Sequence, residues 1–393
     1  MKWLAIVAGV GVMAIVVALA RSAPYRDPVI DENGARPASF DGLDALVSDA
    51  APGRVLWVHG MCRHDDLWAQ QRARTLAAAL GATYTPTPAP LAGEATWTDD
   101  MEFTVPSRGR VDVTFFLWSR LVDKYRQRLA YDADVGATRA SLNKELKLAL
   151  TDSCLVDAII YSGRNGDGIR VAMRKAVCRT LGGTTGETGP CDLSGASAPR
   201  RIAFVTESIG SKILFDALRD LWASAIPDTG REAPFEKGVT RSELARRSAQ
   251  VSVIYMVANQ LPLLDQASPL AAASAPYESS VKAVGDLVAE SRSEIDGSPG
   301  LPNLTIVAFS DPNDLLSFRL PETLAKPAKT RLVNVTVSNA WTFFGLVERP
   351  LLAHCRYMQN PVVVGIITHG YHGGRFSAPA ASEPDSACAA GKL

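Results

Sequence analysis

The chain has no excess of charge of either sign, since 41 Lys and Arg stand against 41 Asp and Glu in 393 residues. A zero balance offers little to the phosphates of nucleic acid, so no nucleic-acid partner is expected. Histidine is scarce, with five copies, and there is no C-x-x-C pair or His/Cys cluster. That excludes the common metal sites, and no cofactor is expected. No segment repeats at a period of roughly 20 to 50 residues, which excludes solenoids and propellers. Only one apolar run is long: Leu4 to Ala20, preceded by Met1-Lys2-Trp3 and closed by Arg21. At about 1.5 Å per residue it is marginal for a hydrocarbon core of about 30 Å, and Ala18-Leu19-Ala20 offers a cleavage site. Residues 1–23 therefore read as a signal peptide or an N-terminal membrane anchor, with membrane association through residues 4–20 in the second case. Either implies export to a periplasmic, secreted or membrane-anchored location. No cysteine lies nearby to carry a lipid. Residues 24–50, rich in Pro and Asp, read as a linker.

The composition that remains, 47% apolar and 21% charged, is that of an ordinary globular domain with an adequate core. Export permits disulfides among the six cysteines, although sequence alone leaves their connectivity open. Cys154, Cys178 and Cys191 share one region, where Cys178 to Cys191 is the simplest bridge. Cys62 and Cys355 each follow a candidate site residue, so a bridge between them would tie two site loops together. Cys388 lies in an Ala-, Ser- and Pro-rich tail, 377–393, that reads as disordered.

Short apolar runs rich in β-formers predict strands at 54–58, 111–118, 202–205, 251–258, 304–309 and 332–337, with helical patterns between them. Residues 120–200 contain more chain than one crossover helix needs, so part of them is a helical insertion. The most informative stretch is Ile202 to Leu221. Ile202 to Val205 form a strand, while Ile209, Ile213, Leu214, Ala217, Leu218 and Leu221 recur at helical spacing. Ser208 falls on the sharp turn between them. A hydroxyl there is lifted above the sheet edge, and the Ile209 N–H and the positive end of the helix face the same space.

The five residues Thr206-Glu207-Ser208-Ile209-Gly210 resemble the G-x-S-x-G nucleophile elbow of the α/β-hydrolase superfamily, with Thr206 in place of the first glycine. The resemblance covers roughly residues 51–376 and implies a mostly parallel sheet with helices on both faces. It also implies a possible cap at about 260–303, which would bring Leu261, Leu263 and Leu264 near an acyl pocket. Arg54 to Met61 look like the strand and H-G-x loop that give a main-chain oxyanion donor at Met61, with Ile209 as the second; His59 would shape that loop, and His64 reads as a surface residue. The family's acid follows its seventh strand, where Asp314 is the better register and Asp311 the alternative. Ala353-His354-Cys355-Arg356-Tyr357-Met358-Gln359-Asn360-Pro361 look like the histidine segment of lipase-like members. His369 and His372 lie beyond the next helix in a Gly-rich stretch.

The resemblance thus implies a serine esterase or lipase-like hydrolase, with Ser208, Asp314 and His354 as nucleophile, acid and base, and a small-molecule or lipid ester as substrate. An acyltransferase or a peptide hydrolase would use the same parts. The alternative is a fold-retaining binding or assembly protein at the cell envelope. Thr206 in place of glycine and the carboxylate of Glu207 beside the serine motivate it.

Overall fold

The computed structural model describes residues 13, 16, 17, 19, 22–32, 39–62, 64, 66–86, 97–126, 128, 140, 147, 154–185, 190–194, 201–225, 238–267, 304–321 and 330–373. Most of the possible cap and the whole C-terminal tail lie outside them. Among the described residues no helix is long and apolar enough to cross a membrane.

Among the described residues eleven strands are formed: β1 (Val29–Asp31), β2 (Gly53–Val58), β3 (Thr83–Pro86), β4 (Thr98–Val105), β5 (Gly109–Phe116), β6 (Thr184–Thr185), β7 (Cys191–Asp192), β8 (Ile202–Glu207), β9 (Val251–Val257), β10 (Leu304–Ser310) and β11 (Thr330–Thr336). Nine of them make one sheet in the order β1-β11-β10-β9-β8-β2-β5-β4-β3. The six from β5 to β11 across the middle are parallel, while β1 at one edge and β4 and β3 at the other run antiparallel. The protein is therefore a mixed α/β fold around a large, mostly parallel sheet.

Both faces of this sheet are covered, which explains why its central strands are continuous apolar runs rather than alternating ones. Leu56, Phe204 and Ile254 point to one side, against the helices Asp167–Thr180 and Gly210–Ala223. Val55, Val205 and Tyr255 point to the other, against the helices Asp66–Leu80 and Pro361–His369. Burying a side chain of this size contributes about 1.5–3 kcal/mol, so the alternation fixes the register of every central strand.

Three expectations change. The 24–50 stretch is more than a linker: Val29 to Asp31 pair with β11, and the 3-10 helix Leu43–Leu46 buries Leu43 and Leu46 in the core. Phe40 forms a bridge with Tyr371 that closes this segment onto the end of the chain's last described helix. Cys62 bonds to Cys154 rather than to Cys355 (S–S 2.05 Å). Cys355 is disulfide-bonded as well. Finally, Leu261 is buried in the core, Leu264 packs against that core and Leu263 is 43% exposed, and none of the three is among the described residues that line the Ser208 pocket. The expected Cys178–Cys191 bridge is present (S–S 2.02 Å) and joins the helix Asp167–Thr180 to β7.

If 40–46 is core, Leu43→Ala should cost about 2–5 kcal/mol in denaturant unfolding. A change within about 0.5 kcal/mol, as expected of a linker position, would contradict this packing.

Candidate active site

The sequence-derived site residues all follow the carboxyl ends of parallel strands: Met61 after β2, Ser208 and Ile209 after β8, Asp311 and Asp314 after β10, and His354 after β11. Loops here are brought together because neighbouring parallel strands end on the same side. The hydroxyl of Ser208 shares a pocket with Gly60, Met61, His64, His354 and Tyr357.

Ser208 has φ 54°, the left-handed region that L-residues avoid at a cost of about 1–2 kcal/mol. Its N–H donates to Val257 O at 2.8 Å, which pins the turn to the neighbouring strand end. Room for the turn comes from two glycines. A Cβ on Gly60 would lie 2.8 Å from Ser208 Cβ, and one on Gly210 would lie 3.0 Å from the Val58 and His59 carbonyl oxygens. Thr206 is accommodated without a glycine, because its hydroxyl donates to Tyr255 O (3.1 Å) and lies 2.9 Å from Ser211 Oγ. Ser208 Oγ itself is buried and hydrogen-bonds to no described group. Buried hydroxyls are seldom left so, and those that are call for an explanation.

His354 Nδ1 is 2.9 and 3.0 Å from the two carboxylate oxygens of Asp314. Burial pushes the Asp314 carboxyl up. The His354 charge and hydrogen bonds from His354, the Leu316 amide and Ser317 outweigh that and hold it below the usual carboxylate range. Tyr357 also donates to Asp314 Oδ2 (3.1 Å). With Nδ1 facing the carboxylate, Nε2 is the ring nitrogen left to act as a base. Asp311 does not reach His354. Its oxygens accept from the Asn313 and Asn339 amides at 2.9 and 2.7 Å, so it braces the loop that carries Asp314.

Among the described residues, neither the Met61 nor the Ile209 amide donates to a protein group. Both adjoin the Ser208 turn, where unpaired N–H groups can serve developing negative charge. Glu207 is not a stray carboxylate beside the serine. Arg72 binds it through two bonds of 2.7 and 2.8 Å, and the Trp57 indole N–H adds a third at 2.9 Å.

His59 is fully buried, and burial together with the charge of His64 holds its imidazole well below the usual value. It accepts from the Ser119 amide at Nε2 (3.0 Å), so the proton sits on Nδ1 and is donated to Gly60 O (2.6 Å). His64, expected at the surface, is instead buried and stacked on His59 with ring centroids 4.5 Å apart, and it lines the pocket. Its polar neighbours in sequence concealed this. His369 is turned to Asp44 (3.3 Å), His372 is exposed, and neither lines the pocket. No group of His, Cys, Asp and Glu among the described residues could hold a metal ion.

Comparison of the chain with protein-family models, curated proteins and solved structures yields no match, so the site is read from its own residues and geometry.

Two predictions follow from the charges around the site. Removing the guanidinium in Arg72→Leu strands the buried Glu207 carboxylate and should destabilise the fold by about 3–5 kcal/mol in denaturant unfolding; a loss under about 1 kcal/mol would mean that the pair matters little. Glu348, which accepts from Asn313 Nδ2 at 2.7 Å, is pushed up to about 7 by burial and by the nearby Asp311 charge. An acid with a raised folded-state pKa loses stability as pH climbs from its unfolded value, 4.5, to about 7. Glu348→Gln should therefore gain in Tm over the parent protein across that window and hold the gain above it. An offset that is the same at about pH 5 and about pH 8 would contradict this.

Proposed function

We propose that this chain is a serine hydrolase of the α/β-hydrolase fold that cleaves a carboxylic ester. The observation that carries the reading is the pairing of His354 with Asp314 in the pocket of a strained serine whose hydroxyl is otherwise unbonded. The sheet order supports the fold, because the serine strand β8 lies between the strand of the H-G loop and β9, with the acid and base strands β10 and β11 beyond.

In the proposed reaction His354 Nε2 takes the Ser208 proton as Oγ attacks the ester carbonyl carbon. Asp314 fixes the tautomer and stabilises the imidazolium. The carbonyl oxygen becomes an oxyanion served by the Met61 and Ile209 amides, donors typically worth several kcal/mol to the transition state. Collapse expels the alkoxide, which takes the proton from His354, and leaves Ser208 acylated. Water, deprotonated by His354, then attacks the acyl carbon; the bond to Ser208 Oγ breaks, Oγ takes the proton back from His354, and the acid is released. Ser208 Oγ and His354 are not hydrogen-bonded to each other here; such contacts commonly tighten only when substrate is bound.

The pocket wall includes Met61, Val257, Ala258 and Met358, which suits an ester with an apolar acyl or alcohol part. The case for a protein that only binds is weakened by the fate of Glu207, whose charge is matched by Arg72. Export is supported by the apolar run at 4–20 and by disulfides in the described residues.

The test is labelling by a fluorophosphonate. Wild type should label, and both Ser208→Ala and His354→Ala should abolish it. Asp314→Asn should lower kcat by several orders of magnitude, whereas Asp311→Asn should act mainly on stability. A folded wild type that takes no label would end the hydrolase reading.

A further inference from the structure

Beside the candidate site, two neighbouring loops expose large apolar side chains. On one, Trp341 is 39% exposed, Phe343 56%, Phe344 57%, Leu346 87% and Val347 62%. On the other, which carries Asp314, Leu315 is 73% and Phe318 40% exposed. The loops are joined where Asn313 Nδ2 donates to Glu348 (2.7 Å) and the Asn339 amide donates to Asp311 (2.7 Å). Several exposed apolar side chains on loops held together in this way mark an interaction site. Backbone conformation adds to the case: Phe343 at φ 37° and Phe344 at φ 58° both occupy the left-handed region, so two consecutive aromatic residues are held outward at the cost of strain.

What covers this surface is indicated by where the N-terminal apolar run ends. Just beyond it, Ser22 O accepts from the Thr342 amide (3.0 Å), and Ser22 Oγ accepts from the Phe344 amide (2.7 Å). Tyr25 donates its N–H to Ser338 O at 2.6 Å. The run at 4–20 is thus fastened at its exit to the loop that bears the exposed rings. Its described residues Met13, Val16, Val17 and Leu19 are helical and 40–65% exposed, so they too leave apolar surface uncovered. No acidic residue lies between Trp341 and Val347, Glu348 is buried, Arg349 beside it is exposed, and the exposed Arg26, followed by the exposed Asp27, is near enough for its charge to act on Glu348. Aromatic and aliphatic side chains beside basic ones are the composition that sits at the headgroup level of an anionic bilayer.

We infer that loop 341–347, with Leu315 and Phe318, is a bilayer-docking surface, inserted in the headgroup region of the same membrane that receives residues 4–20. The His354-bearing helix Pro350–Cys355 follows this loop directly, so docking would set the mouth of the Ser208 pocket against lipid. The inference concerns the surface and does not depend on the chemistry proposed above.

The test uses the full chain, with an environment-sensitive fluorophore attached at Leu346→Cys, reconstituted with vesicles of phosphatidylcholine and phosphatidylglycerol. The expected result is a vesicle-dependent blue shift, with loss of emission to a quencher carried on the upper acyl chain. Val347→Cys repeats the measurement should a thiol at 346 disturb disulfide pairing. Water-like emission from chain that floats with the vesicles, or failure to bind them at all, would overturn the proposal. So would a blue shift without lipid: one that grows with protein concentration would mean that a second copy covers the loop, and one independent of concentration would assign it to another segment of this chain.

Discussion

At φ 54° Ser208 ends a fully buried strand in a conformation that its own side chain resists, and much of the surrounding design answers to that turn. Gly60 and Gly210 leave room on either side, Val257 O holds the amide, and the Thr206 hydroxyl finds partners where another residue of its size would crowd the strands. The sheet must be rigid for such strain to persist, and it is: β8 lies between β2 and β9 with every residue buried. A local conformational cost is thus carried by a strand buried along its whole length.

Electrostatics around the turn are arranged by pairing. Glu207 is matched by Arg72, and His59 is kept neutral by burial and by the charge of His64. What remains chemically available is the His354–Asp314 pair and the Ser208 hydroxyl. A buried charge acts through a low dielectric, so matching Glu207 with Arg72 limits its field at the Ser208 pocket.

The central strands were legible because burial on both faces writes continuous apolar runs into the sequence, and the turn at Ser208 because a strand run changes to a helical one there. The edges were not. Residues Val29–Asp31 are too few to make a pattern and owe their conformation to pairing with β11. The alternation in Thr98–Val105 is interrupted by Asp99-Asp100 and is completed only by its partner β5. Of the site, the residue types and their order could be read, but not the contacts that decide their roles. The Arg72–Glu207 pair spans 135 residues, and Asp314 is distinguished from Asp311 only by which one faces His354. The burial of His64 and the partner of Cys62 depend likewise on where distant chain returns.

The loop that carries Met61 is fixed from outside the sheet. Cys62 is bonded to Cys154, its amide donates to Asp157 (2.9 Å), and Arg126 spans Asp157 and the Cys62 carbonyl. One face of the candidate site is therefore stapled to the segment around Cys154 and Asp157 by a covalent link that forms only on oxidation. This corner is complete only in the oxidised chain. The geometry around Met61 is thereby tied to the redox state of two cysteines 92 residues apart in the chain.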